Sequence, residues 1–219
     1  MARHGGTRAG RWPVQVRYAC GLTGEEYVTQ QAWRHASLTR CPLHPKGGCG
    51  FARHGTYERR SPPGARIARW YCRQGHCTIS LLPDCLSSQL PGTLAELETV
   101  VVQVEQGRNL EATCSHLRLD IELPGALRWV RRRVRAIHTT LLILKGLMPA
   151  CFGPCEPTLH AFAHPLGIQP VLPVLRSIAA PWLHSLPPPL GLRPRPRHSG
   201  EANDRHQQSV GPDPPLSFP

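Results

Sequence analysis

Two short clusters of thiols and imidazoles carry the clearest chemistry in this chain. The segment CPLHPKGGCG at 41–50 offers Cys41, His44 and Cys49, and YCRQGHC at 71–77 offers Cys72, His76 and Cys77. Zinc takes four nitrogen or sulfur ligands in a tetrahedron, usually delivered as two pairs on tight turns. Two such turns are present, although neither is a clean CxxC. The set we select is Cys41, Cys49, Cys72 and His76, with His44 and Cys77 as competitors. The ordinary alternative is that these cysteines are small core residues and the histidines surface residues. A catalytic zinc needs an open coordination position and a nearby acid or base. Glu58 and Asp84 are the only carboxylates between Cys41 and Pro91, so a structural zinc is expected. Cys20, Cys85 and Cys114 stand apart and read as packing residues, while Cys151 and Cys155 point to nothing specific.

The second constellation is basic. Arg128, Arg131, Arg132 and Arg135 recur at steps of three and four, with Arg133 beyond them and no acidic residue from Ala126 to Lys145. At helical spacing they share a face beside the apolar seam Leu127, Val130, Val134, Ile137 and Leu141. Solvated helix faces usually mix signs to gain i,i+4 pairs, whereas these charges repel one another. A helix of this kind buries one side and offers the other to phosphates or base edges in a major groove. Arg131 and Arg135, one turn apart, are the first candidates for contact. The same seam, continued through Leu142 and Leu144, also suits a short coiled coil, so a homodimer is a further expectation.

These groups need elements to hold them. Val14, Val16 and Tyr18 alternate with polar residues and read as a strand, as does Arg66–Tyr71 within the Cys-, Gly- and Pro-rich stretch. From 92 the period changes to that of amphipathic helices. Leu94, Leu97, Val101 and Val104 mark a first helix ending at Gly107. Asn109 caps a short second one with Leu110, Cys114 and Leu117 inward, and Pro124 opens a third that reaches about Lys145. Sixteen of the 24 prolines lie at or beyond Pro149, which argues against a long regular fold there. The expected organisation is a basic disordered N-terminus (1–11), a strand plus zinc-ribbon-like module (12–91), a helix-turn-helix (92–148), a marginal helical segment (149–185) and a disordered Pro-rich tail (186–219). The fold class is accordingly small α+β, a zinc-ribbon-like β module followed by three helices.

With 219 residues, 24 prolines and 20 glycines, the folded part should be shorter than the chain. The net charge of +12, nearly all arginine, makes nucleic acid the first partner to test. No apolar run of about 18 residues suggests a membrane span, and Met1–Trp12 lacks the apolar stretch of a secretory signal. The expected compartment is the cytoplasm, at the bacterial nucleoid, where thiols stay reduced and nine cysteines serve as metal ligands or core residues. No GxSxG, HExxH or P-loop pattern occurs, and an enzyme is not expected.

The stretch from about Arg40 to Pro149 resembles the N-terminal zinc-ribbon plus helix-turn-helix modules of bacterial insertion-sequence transposases and related mobile-element proteins. The resemblance rests on CP at 41–42, RHGTYERR at 53–60, IARWYC at 67–72, TISLLP at 78–83 and LRWVRRRVRAIH at 127–138. It implies binding of element ends in duplex DNA, with strand cutting left to a separate transposase catalytic subunit. Two departures stand against it. CRQGHC replaces a CxxC-like turn, which leaves the fourth ligand open. The tail from about 150 is poor in acids, as though a reading frame had drifted, an expectation that a well-folded tail would overturn. A zinc-dependent protein-interaction scaffold, with the arginines merely solubilising it, is the alternative function.

Overall fold

The computed structural model describes residues 14–107, 110, 111, 113 and 123–192. Four strands, β1 (Val14–Tyr18), β2 (Ala52–Glu58), β3 (Arg66–Cys72) and β4 (Cys77–Pro83), form one mixed sheet in the order β1-β4-β3-β2. β3 and β4 make a tight antiparallel hairpin, with Cys72 opposite Cys77. β2 runs antiparallel to β3 and β1 parallel to β4. The apolar run Ile79-Ser80-Leu81-Leu82 explains why β4 is central: nearly every side chain along it is buried, as a strand covered on both faces requires. β2 lies at an edge, and its register shifts between Arg53 and Thr56, where Gly55 takes the left-handed conformation (φ 86°) of a bulge.

The helices begin where their caps predict. α1 (Gly24–Thr29) starts on a capping box of Thr23 and Glu26, and α2 (Leu94–Gln106) on one of Thr93 and Glu96. α2 ends at Gly107, and α3 runs over Leu123–Leu147. α3 packs on α2 and buries Ala126, Val130, Ile137, Leu141 and Leu144, while Leu127 and Val134 of the seam are half-buried. The expected second helix falls mostly outside the described residues, which include only Leu110, Glu111 and Thr113 of it, all helical.

The segment after Pro149 departs from expectation. It forms α4 (Pro149–Phe152), α5 (Leu159–Leu166) and α6 (Val171–Ile178), then a 3-10 turn at Ala180–Trp182. Phe152 stacks on Phe162 at 4.4 Å. Leu159, Val171, Leu172, Leu175, Leu183, Leu186 and Leu190 join the same core as Trp33, Ile67 and Ile79. Residues 149–185 are thus an integral helical layer and not a marginal piece, and 186–192 pack instead of lying in solution. Drift of the reading frame is overturned for this stretch, and the rest of the expected disordered tail, 193–219, lies outside the described residues, as does 1–13.

Two acids on α2 lock this layer in place. Glu98, 7% exposed, accepts hydrogen bonds from the N–H groups of Val171 and Leu172 at 2.7 and 2.8 Å. Glu105 accepts from those of Leu159 and His160 at 3.0 and 3.2 Å and lies 3.0 Å from His138 Nε2. Each carboxylate meets the orphan donors and positive dipole end of a helix N-terminus, α6 and α5 respectively.

Candidate metal centre and basic helix

The loop after the 3-10 turn at Ala32–Arg34 and the β3–β4 hairpin converge on one point. The Cys41 carbonyl accepts the His44 N–H at 3.2 Å, which closes a turn carrying both side chains. Gly47 and Gly48, both with positive φ, then swing the chain back so that Cys49 returns beside them. The Cys49 carbonyl accepts the Gln74 N–H at 3.2 Å, which ties this loop to the hairpin bearing Cys72.

The result is a cluster of Cys41, His44, Cys49 and Cys72 whose ligand atoms all lie within 4.8 Å of one another, so that together they could hold a metal ion. His44 Nδ1 sits 3.6 Å from Cys41 Sγ and 3.3 Å from Cys72 Sγ. The Gly75 N–H donates to Cys72 Sγ at 3.2 Å, an outer contact of the kind that orients a ligand. All three cysteines are buried and His44 half-buried. Burial raises the Cys41 thiol, but hydrogen bonds from the His44 ring and from the Leu43 and His44 backbone outweigh it and lower the thiol to about 7. Burial, reinforced by hydrogen bonds with Cys72 and Cys41, pushes Cys49 up to about 11.

Of the ligands selected from the sequence, Cys41, Cys49 and Cys72 are in this cluster and His76 is not. His76 is exposed in the hairpin turn, held with φ 43° while its N–H donates to the Arg73 carbonyl at 3.1 Å. The fourth member is His44, which the sequence left as a competitor. Its signal is the CxxH spacing of Cys41 and His44, short enough for both side chains to leave one turn. Cys77 is buried beside Cys72 across the hairpin but outside the set of four.

On α3, Arg128, Arg131, Arg132 and Arg135 are all exposed. None of them meets a carboxylate among the described residues. Arg133 differs: it is 5% exposed, stacks 3.6 Å from the Trp129 ring centroid and donates to the Trp129 carbonyl at 3.3 Å. Five neighbouring arginines thus divide into one packing residue and four facing solvent. Arg131, Arg132 and Arg135 wall a cleft of about 450 Å³, closed on the other side by Pro187 and Pro188. No helix among the described residues is long and apolar enough to cross a membrane.

No protein-family model, curated protein or solved structure matches the chain, so the functional reading stands on these two constellations and their geometry.

Proposed function

We propose that the protein binds duplex DNA through the arginine face of α3, and that Cys41, His44, Cys49 and Cys72 hold a structural zinc ion. The observation that carries the DNA half is the group Arg128, Arg131, Arg132 and Arg135, solvent-facing along one side of a helix with no carboxylate among the described residues to relieve their repulsion. Guanidinium forks satisfy phosphate oxygens bidentately, and a polyanion converts that repulsion into binding energy. The cleft against Pro187 and Pro188 gives three of these forks a common focus.

The zinc half rests on distances. With Zn–S about 2.3 Å and Zn–N about 2.0–2.1 Å, a sulfur and a nitrogen in a tetrahedron lie roughly 3.5 Å apart. His44 Nδ1 meets two cysteine sulfurs at 3.6 and 3.3 Å. Three thiols and an imidazole form a closed donor set suited to zinc, whose bound form supplies folding energy and not catalysis. On this reading α2 and α3 belong to a helix-turn-helix, and strand-cutting chemistry resides on a separate subunit.

The test is a mobility shift on random duplex DNA over a range of salt, comparing the wild type with Arg131→Ala/Arg135→Ala. Each phosphate contact contributes about 0.9 to the slope of log affinity against log salt. The double variant should therefore flatten the slope by about 2 while keeping its circular dichroism spectrum. An unchanged slope with intact fold would sink the arginine-face claim.

A second reading, a zinc-dependent protein-interaction scaffold, is favoured by the exposure of Leu142 (55%), Ile143 (37%) and, at the metal loop, Leu43 (45%). It predicts no salt-sensitive DNA binding in the same titration. The α3 pair also makes self-association through this helix a proposal that sedimentation at several concentrations would decide.

A further inference from the structure

Cys20 and Cys85 lie 65 positions apart in sequence and read there as unrelated packing residues, but the sheet brings them together. β1 and β4 pair in parallel up to Tyr18 opposite Pro83, and the Asp84 N–H still donates to the Tyr18 carbonyl at 3.1 Å. Each cysteine follows two residues beyond that last pair, which leaves both at the same end of two adjacent strands. Neighbouring strands run about 4.8 Å apart, inside the Cα separation of about 4.4–6.8 Å that a disulfide spans.

The two positions differ in rigidity and access. Cys85 is 6% exposed, and the Leu94 N–H donates to its carbonyl at 2.8 Å. Arg176 holds the carbonyls of Asp84 and Leu86 on either side of it. Cys20 is half-buried in the loop that leads to α1. Cys85 also lines a cleft of about 470 Å³ with Leu22, Thr23, Pro170 and Pro173, large enough for a small molecule and too narrow for a folded protein.

We propose that Cys20 and Cys85 are an oxidisable dithiol, closed to a disulfide by a low-molecular-weight disulfide that reaches the half-buried Cys20. The Cys20 thiolate attacks one sulfur of the incoming disulfide and forms a mixed disulfide, and the first small thiolate leaves and takes up the proton that Cys20 lost. Cys85 then gives up its proton and attacks Cys20 Sγ, which breaks the mixed bond and releases the second small thiol. Two protein thiols lose two electrons and the incoming disulfide gains them. The division of roles follows from environment. The hydrogen bond with Cys85 lowers the Cys20 thiol to about 6, against burial and with help from the Leu22 and Asp84 backbone, whereas the same bond and burial raise Cys85.

The consequence lies in the ring so closed. All four members of the metal cluster, from Cys41 to Cys72, fall between Cys20 and Cys85, so the disulfide would clasp the metal-bearing module at its base.

The experiment treats the zinc-loaded full chain with oxidised glutathione, traps remaining thiols by alkylation, and maps peptides without reduction while zinc is quantified. The expected result is a Cys20–Cys85 linked peptide lighter by two hydrogens, with zinc retained, and Cys85→Ser should instead accumulate a glutathione adduct on Cys20. Should Cys85→Ser fail to fold, the wild-type map decides alone. The proposal is overturned if Cys20 and Cys85 are both alkylated while the exposed Cys151 carries glutathione. Linkage of Cys20 or Cys85 to a metal-cluster cysteine, with loss of zinc, overturns it as well.

Discussion

Arg176 is 1% exposed, and no carboxylate among the described residues pairs with its guanidinium. Its five hydrogen bonds go to backbone: Nε to Leu190 at 2.9 Å, Nη1 to Pro83 and Asp84 at 3.3 Å and to Leu86, and Nη2 to Pro189 at 2.6 Å. One side chain thereby pins the exit of β4 to the turn at 187–190. Burial lowers the guanidinium to about 10, opposed chiefly by the nearby Asp84 charge, so it remains protonated at neutral pH. Consider Arg176→Met, which keeps the bulk and removes the donors. The Pro83 and Pro189 carbonyls retain the N–H of Leu86 and Ser88, at 3.1 and 2.9 Å. The other three lose the guanidinium inside the core, and a buried unsatisfied carbonyl costs about 1–3 kcal/mol. Methionine escapes the cost of burying a charge, which offsets part of this, so a net loss of about 3–5 kcal/mol is expected. Arg176→Lys should fare no better, since a point charge with three donors cannot serve a fork of five while its desolvation cost stays. Urea unfolding of the metal-loaded protein measures both, at unchanged m-value. A loss below about 1 kcal/mol for Arg176→Met would refute the reasoning, because the carbonyls would then have other satisfaction.

Three further outcomes follow from the same geometry. His44→Ala should weaken metal affinity more than about 100-fold, beyond the loss of an outer contact, in competition with a chromogenic chelator. His76→Ala should leave it unchanged, and the reverse order would restore the histidine chosen from sequence. Removing the metal with a chelator should melt the β2–β3 end of the sheet, seen as faster amide exchange there than at Leu97 or Val101. Glu98→Gln, which keeps an acceptor but removes the charge at the start of α6, should cost about 1–2 kcal/mol in thermal or urea unfolding.

How much of this was legible depends on the range of the cause. Alternation marked β1 and β3, and the three-four period marked α2 and α3, because each pattern reflects burial within one element. The thiols of Cys41, Cys49 and Cys72 were legible as ligands by type and spacing. The choice between His44 and His76 was not, because it turns on a backbone conformation in the hairpin that points His76 to solvent. The segment after Pro149 misled because proline count was read without proline position. Pro149 begins α4, Pro170 caps α6, and Pro173 falls in the first turn of α6, where a missing N–H costs nothing. Pro165 stands inside α5, one residue before its end. What holds these short helices is their contact with Glu98, Glu105 and the leucines of a core built far earlier in the chain, and no local pattern announces that.

The same distinction governs the basic charge, which as a net value of +12 says little about where a polyanion would bind. Many arginines are committed internally. Arg17 makes a bidentate pair with Asp84 at 2.8 and 2.9 Å, Arg53 lies over Trp70 and donates to the Trp33 carbonyl, and Arg69 lies over Tyr57. Arg59 donates to the Leu90 carbonyl, and Arg133 and Arg176 are buried. These side chains act as struts, and each can be told from a surface charge by the ring, carbonyl or carboxylate it holds. The four exposed arginines of α3 have none of these among the described residues, and they follow one another along a single face. A strut acts through the particular carbonyl, carboxylate or ring it holds, and its loss shows as lost stability, whereas the loss of a phosphate contact shows as lost salt-dependent binding with the fold intact. The functional argument therefore rests on which arginines remain uncommitted after folding, and on α3 those are Arg128, Arg131, Arg132 and Arg135.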